Sequence, residues 1–194
     1  MLDQIGTADM MQGSLTSFTS DRFGNLNSAL ELNGGWTQVP SGVYFDTPEF
    51  SISVWVYPQQ VGSFSRIIDF GNGPYKENLV FGLTFGTSLH PYVYLNKTNY
   101  ESSTILTTNA WQHVAATYDG NNLNIYLNGL TVMSYSVTYS LPLINRTYCY
   151  VGKSNWVDGY SWSYFDDLRF YNKSFTQTEI MLLMNENGTC KYFH

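Results

Sequence analysis

The sequence predicts an all-β protein: antiparallel strands stacked as a two-sheet β-sandwich, with one short helix near the C-terminus. Three observations predict it. Sixteen Tyr, twelve Phe, five Trp and sixteen Gly among 194 residues favour pleated surfaces over a helix bundle. Apolar side chains alternate with polar ones at a period of two in several runs. Asp-Gly and Asn-Gly pairs, which tolerate the positive φ of tight hairpins, fall between those runs.

Along the chain, residues 1–20 are rich in Met, Ser and Thr and read as an arm. Residues 21–194 read as one domain, because no Pro-rich or Gly/Ser-rich linker divides them. From about Ser28 the pattern is strand, turn, strand. Phe50 to Tyr57 is the clearest strand, with Phe50, Ile52, Val54 and Val56 on one face and Pro58 as its stop. Asn78 to Phe85 and Tyr92 to Leu95 follow. Trp111 to Tyr118, then Leu123, Ile125 and Leu127 in alternation, with turns at Asp119-Gly120 and Asn128-Gly129, make residues 111–135 three sequential antiparallel strands. Thr176-Gln177-Thr178-Glu179 is a capping box, and Phe175 and Ile180 stand where a hydrophobic staple packs. Ile180, Leu183 and Met184 give that helix an apolar face, and Asn187-Gly188 is the expected stop.

Nine Lys and Arg against fifteen Asp and Glu give a net charge of −6, with the basic residues scattered. A nucleic-acid binder needs a cationic stripe, so that class is excluded, and polyanionic and membrane surfaces are disfavoured with it. No run of eighteen apolar residues is present, so no membrane insertion is expected. The N-terminus has neither the basic nor the apolar region of a signal peptide.

Several pieces in order resemble the laminin-G-like, concanavalin-A-like domains related to pentraxins. They are residues 28–34, Phe50 to Pro58, Trp111 to Gly120, Leu123 to Gly129, and Phe165 to Asn172 followed by the capping box. The resemblance implies a jelly-roll topology. It also implies a non-catalytic extracellular recognition module for glycans or protein partners, secreted or at a cell surface, sometimes with calcium. Ser163, two residues before Phe165, departs from the glycine common there.

For binding, residues 155–164 stand out, with Trp and Tyr interleaved with small polar residues. Flat aromatic faces beside amides and carboxylates suit sugar rings. Asn155, Trp156, Asp158, Tyr160 and Trp162 are the expected ligand-binding residues, with Trp156 and Tyr160 foremost. The competing reading of Trp162 and Tyr164 is cover for a sheet face. By analogy with rim-bound ions in the resembling domains, Glu77, Asn78, Asn155 and Asp158 are the expected calcium set. Cys149 and Cys190 are expected to form a disulfide pinning the C-terminal tail. Four N-x-S/T sequons, at Asn96, Asn145, Asn172 and Asn187, are candidates for glycosylation, though chance gives nearly as many at this composition.

Enzymatic readings find little support. Glycosidase chemistry needs two carboxylates facing one cleft, and no Glu-x-Asp-x-x-Glu run occurs. Asp166 and Asp167 would point to opposite faces of a regular strand. His90, His113 and His194 share no ligand spacing, and no nucleophile elbow is present. The alternative to a lectin-like module is a structural, adhesion or fibre subunit that self-associates through aromatic faces and edge strands.

Overall fold

The structure is a computed structural model that describes residue 10 and residues 12–186. In chain order the strands are β1 (Gln12–Thr19), β2 (Ala29–Val39), β3 (Phe50–Pro58), β4 (Arg66–Gly71), β5 (Leu79–Gly82) and β6 (Tyr92–Leu95). They continue as β7 (Thr98–Glu101), β8 (Gln112–Tyr118), β9 (Asn122–Leu127), β10 (Leu130–Ser136), β11 (Tyr148–Val151) and β12 (Ser161–Tyr171), before the helix α1 (Gln177–Met184). The segment expected as an arm thus contains β1, which pairs along β2.

The expected all-β architecture with one short helix is present, but its strands form one hydrogen-bonded path rather than two separate sheets. The order is β10-β9-β8-β3-β12-β2-β11-β4-β5-β6-β7, with β1 on the other edge of β2. The cause is β2. Its first half, Leu30 to Gly35, pairs with β12, while Thr37 to Val39 pair with β11. At the end of the first half, where the register with β12 shifts, lie Gly34 (φ 67°) and Gly35, where a Cβ would sit 2.2 Å from the Leu15 carbonyl oxygen. Only glycine lets the strand turn that corner against β1. The sheet then curls until its ends almost meet: Tyr100 of β7 and Tyr135 of β10 have ring centroids 5.5 Å apart.

One apolar core fills the interior, joining Val54, Val114 and Ile125 from one wall to Phe70, Phe81 and Val93 from the other. The period-two reading of β3 holds, since Phe50, Ile52, Val54 and Val56 are all fully buried. Ser51 and Ser53 on its other face are buried as well. The chain after β12 lies over them, and the Ser51 hydroxyl donates to the Lys173 carbonyl (2.6 Å). Beyond that, Ile180 of α1 packs on Ala115 and Tyr126. β5 is shorter than expected because the Thr84 hydroxyl takes the Ser65 N–H (2.6 Å) and pulls the chain out of the ladder.

The capping box forms as read: Thr176 accepts from the Glu179 N–H, and the Glu179 carboxylate accepts from the Thr176 N–H. The helix stops at Met184, earlier than Asn187-Gly188, because the Asn185 amide donates to the Met181 carbonyl (2.8 Å) and caps the end. Asn187 and Gly188 lie outside the described residues. Thr176→Ala is expected to lower unfolding free energy by about 1 kcal/mol, read from the denaturant midpoint. No change would mean that burial of Ile180 alone holds the helix.

Cys149 is wholly buried in the core, where burial pushes its thiol up to about 12. Its expected partner, Cys190, lies outside the described residues, as does His194.

Candidate ligand-binding site

A single register row crosses the outer face of the second half of the sheet. Tyr150 of β11 pairs with Asp69 of β4, Asp69 with Val80 of β5, and Val80 with Tyr94 of β6. Alternation sends Ile68, Phe81 and Val93 inward and this row outward. An outward Asp69 would ordinarily meet water. Instead residues 152–160 lie across it, and Asp69 is fully buried.

The loop is fastened through that carboxylate. The Asn155 backbone N–H donates to Asp69 Oδ2 (2.7 Å) and the Asn155 amide to Oδ1 (2.8 Å). The Asn78 amide also donates to Oδ1 (2.9 Å), tying in the β4–β5 turn. Burial pushes the Asp69 carboxyl up from the ordinary range, while these donors hold it down in part. A second anchor is Arg66, only 5% exposed, whose guanidinium pairs with Asp158 (2.6 Å) and donates to the Phe64 carbonyl (2.6 Å).

Between the anchors stands Trp156. Its indole meets Tyr75 edge-on at 5.2 Å and Tyr94 at 5.3 Å, with interplanar angles of 86° and 77°. Tyr75 is 64% exposed. Next to these rings is a small, solvent-open recess whose lining includes Tyr75, Glu77, Asn78, Tyr94, Lys97 and Tyr139. The Tyr139 hydroxyl donates to the Glu77 carboxylate (2.6 Å); burial and that carboxylate push the phenol up to about 12.

Of the expected binding residues, the structure brings Asn155 and Trp156 together at this place. Asp158 lies nearby, held in its ion pair. Tyr160 is 44% exposed; like Asn155 and Trp156 it does not line the recess, and unlike Trp156 it has no ring contact with Tyr75 or Tyr94. Trp162 lies elsewhere, with its indole against Gly34 at the corner of β2, so it covers a sheet face. Sequence reasoning missed Asp69, Tyr75 and Tyr94. Asp69 was detectable as a lone acid in the apolar run Ile67-Ile68-Asp69-Phe70, and Tyr94 as an alternate partner of Tyr92.

The four residues expected to hold calcium do not form one donor set. Asn78 and Asn155 turn their amide N–H groups onto Asp69, Asp158 is neutralised by Arg66, and Glu77 accepts from Tyr139. Among the described residues no three His, Cys, Asp or Glu side chains cluster as a metal centre. Asn96, Asn145 and Asn172 are exposed, and Asn96 borders the recess; Asn187 lies outside the described residues.

Asp166 and Asp167 do not point to opposite faces. The register shifts between Asp166 and Arg169, and Asp167 sits at φ 50°, so a bulge brings both carboxylates to the outer side. There Arg22 pairs with both, at 2.8 Å from Asp167, and Arg169 pairs with Asp167 (3.3 Å) and Glu186 (2.5 Å). Both carboxylates are thus held in ion pairs with guanidinium groups.

The profile of the concanavalin A-like lectin/glucanases superfamily, Laminin_G_3, matches residues 32–181. No curated protein matches the sequence. Among solved structures, domain 4 of an extracellular GH43 arabinanase from Geobacillus stearothermophilus, in complex with arabinotriose, superposes with a TM-score of 0.68. It is 18% identical, covering 91% of this chain and 90% of that one. The binding domain of botulinum neurotoxin serotype G superposes at 0.68 with 20% identity over 94% of this chain, which spans 47% of that domain's length. A Trypanosoma rangeli sialidase superposes at 0.64 with 16% identity, over 82% of this chain and 27% of its own. At such identities the likeness is one of fold.

Proposed function

The chain belongs to the concanavalin A-like lectin/glucanases superfamily, and from that premise we propose a non-catalytic carbohydrate-binding module that works outside the cell on a jelly-roll scaffold. The observation that carries the reading is Trp156, half-buried and braced between Tyr94 and a largely exposed Tyr75, two rings that line a recess with amide, carboxylate and ammonium groups at its edge. Sugar rings present C–H patches to such aromatic faces and hydroxyls to such polar groups. Rigid placement adds affinity, because a loop already fastened to Asp69 loses little freedom on binding. The arabinanase domain, solved with a trisaccharide, is a fold neighbour in keeping with this reading. The bridged state of Asp166 and Asp167 supports binding without hydrolysis. Among the described residues no helix is long and apolar enough to cross a membrane.

The test is a glycan array followed by calorimetry on the wild type and Trp156→Ala. Trp156→Ala is expected to keep the circular dichroism spectrum and to lose at least about tenfold in affinity, roughly the 1–2 kcal/mol of one aromatic contact. Unchanged affinity would remove this loop from the site.

A second reading, self-association, rests on the exposed side chains of Leu15, Phe18, Phe23 and Leu26, along β1 and the turn after it. Sedimentation of the protein at rising concentration separates it: a monomer throughout rejects it.

A further inference from the structure

We propose that the ligand is an oligosaccharide carrying a carboxylated sugar, and that Lys153 receives the carboxylate on a second aromatic platform. This rests on the carbohydrate-binding reading above and names the class of glycan.

The platform is Trp36 of β2 and Tyr150 of β11, whose rings meet edge-on at 5.5 Å. The Lys153 ammonium stands over both, 4.2 Å from the Trp36 centroid and 4.5 Å from that of Tyr150. An ammonium so placed is held by the two ring faces and keeps outward N–H donors for a guest. Among the described residues it has no carboxylate within ion-pair distance; the one lysine with such a partner is Lys173. Lys76 and Lys97, toward the Trp156 end, are exposed and, among the described residues, likewise without an acidic partner. Two of the five lysines of an acidic chain, Lys153 and Lys97, therefore border one face.

Position ties the two platforms together. Tyr150 and Tyr94 stand in the same register row, separated by β4 and β5. Three strand spacings make that about 14 Å. Residues 153–156 run between them, carrying Lys153 at one end and Trp156 at the other, with Asn155 fastened to Asp69 in the middle. The face is thus built for a short chain of sugars, not a single ring. The net charge of −6 repels a densely sulfated polymer, whereas one carboxylate on an otherwise neutral glycan meets the local ammonium without that cost.

The experiment measures binding by calorimetry to matched pairs: 3′-sialyllactose with lactose, and glucuronic-acid-substituted xylotriose with unsubstituted xylotriose. A sulfated lactose serves as the third arm. Wild type is expected to bind at least one carboxylated member about tenfold tighter than its neutral partner, the worth of one charge-assisted hydrogen bond. That preference should shrink as salt rises. Lys153→Met, which keeps the stem over Trp36, is expected to bring the carboxylated member down to the affinity of its neutral partner while leaving the thermal midpoint unchanged. Trp156→Ala should weaken both members alike. Equal binding of acidic and neutral members, a preference that survives Lys153→Met, or selection of the sulfated sugar alone would overturn the proposal and leave the carbohydrate reading standing. Binding to no member of the array or the pairs would overturn both.

Discussion

Asp69→Ala is expected to lower unfolding free energy by about 4 kcal/mol and to abolish ligand binding in whatever fraction remains folded. The magnitude follows from what the carboxylate satisfies. It accepts the Asn155 N–H, the Asn155 amide and the Asn78 amide, all within 2.9 Å and all at a buried centre. Each buried donor left without a partner costs roughly 1–3 kcal/mol, and water entering the vacated space recovers part of the sum. Asp69→Asn separates hydrogen bonding from volume. Its shape is nearly the same, but its NH2 group would face donors already aimed at Asp69, so it too should destabilise by about 2 kcal/mol or more. Chemical denaturation of both variants reads the outcome. A loss below about 1 kcal/mol for Asp69→Ala would mean that Arg66 and Asp158 hold the loop without the central carboxylate. The functional consequence follows the structural one, because Trp156 reaches its place only through residues seated on Asp69.

The fold was legible where local pattern and tertiary environment agree. Phe50 to Val56 alternates because one side faces the core, and Thr176 to Glu179 caps a helix through groups three residues apart. The corner in β2 was not legible, because Gly34-Gly35 shows its purpose only once Leu15 of β1 lies against it. The bulge at Asp167 hid for a similar reason. Strict alternation separates Asp166 from Asp167, and only an inserted residue lets Arg22, far away in sequence, pair with both. Of the site, Trp156 and Asn155 could be named from the aromatic-rich loop. Tyr75 and Tyr94 come from distant segments, and a single sequence holds no record of which ring will meet which. The residue row from Tyr150 to Tyr94 likewise depends on strand register, which hydrogen bonding between remote segments sets.

The second large effect is one of pH. The contribution of His113 to stability is expected to fall by about 3 kcal/mol as pH drops from about 6.5 to about 4, and His113→Phe is expected to remove that contribution. His113 is 2% exposed, and its Nδ1 has no hydrogen-bond partner. Burial, then the guanidinium groups of Arg22 and Arg169, push the imidazolium down to about 4; Asp167 offsets this only in part. Unfolded, the same side chain titrates near 6.5. Between the two values the unfolded chain binds the extra proton, so acid favours unfolding, at about 1.4 kcal/mol per pH unit. The buried carboxyls act with the opposite sign. Asp69 and Asp166 are raised by burial, so what they contribute is present in acid and lost as pH rises through their folded values. Glu179, held near 2 by Lys173 and Thr176, loses its contribution as pH falls from about 4.5 to about 2, overlapping only the foot of the histidine window. Subtracting the His113→Phe stability curve from that of the wild type therefore isolates one group. Phenylalanine suits the site, since the ring there packs edge-on to Trp55 at 5.5 Å and its nitrogen makes no bond that phenylalanine would lose at Nδ1. A difference curve flat from pH 7 to pH 4 would show that His113 meets water in the folded protein, and that Arg22 and Arg169 do not close over this end of β8.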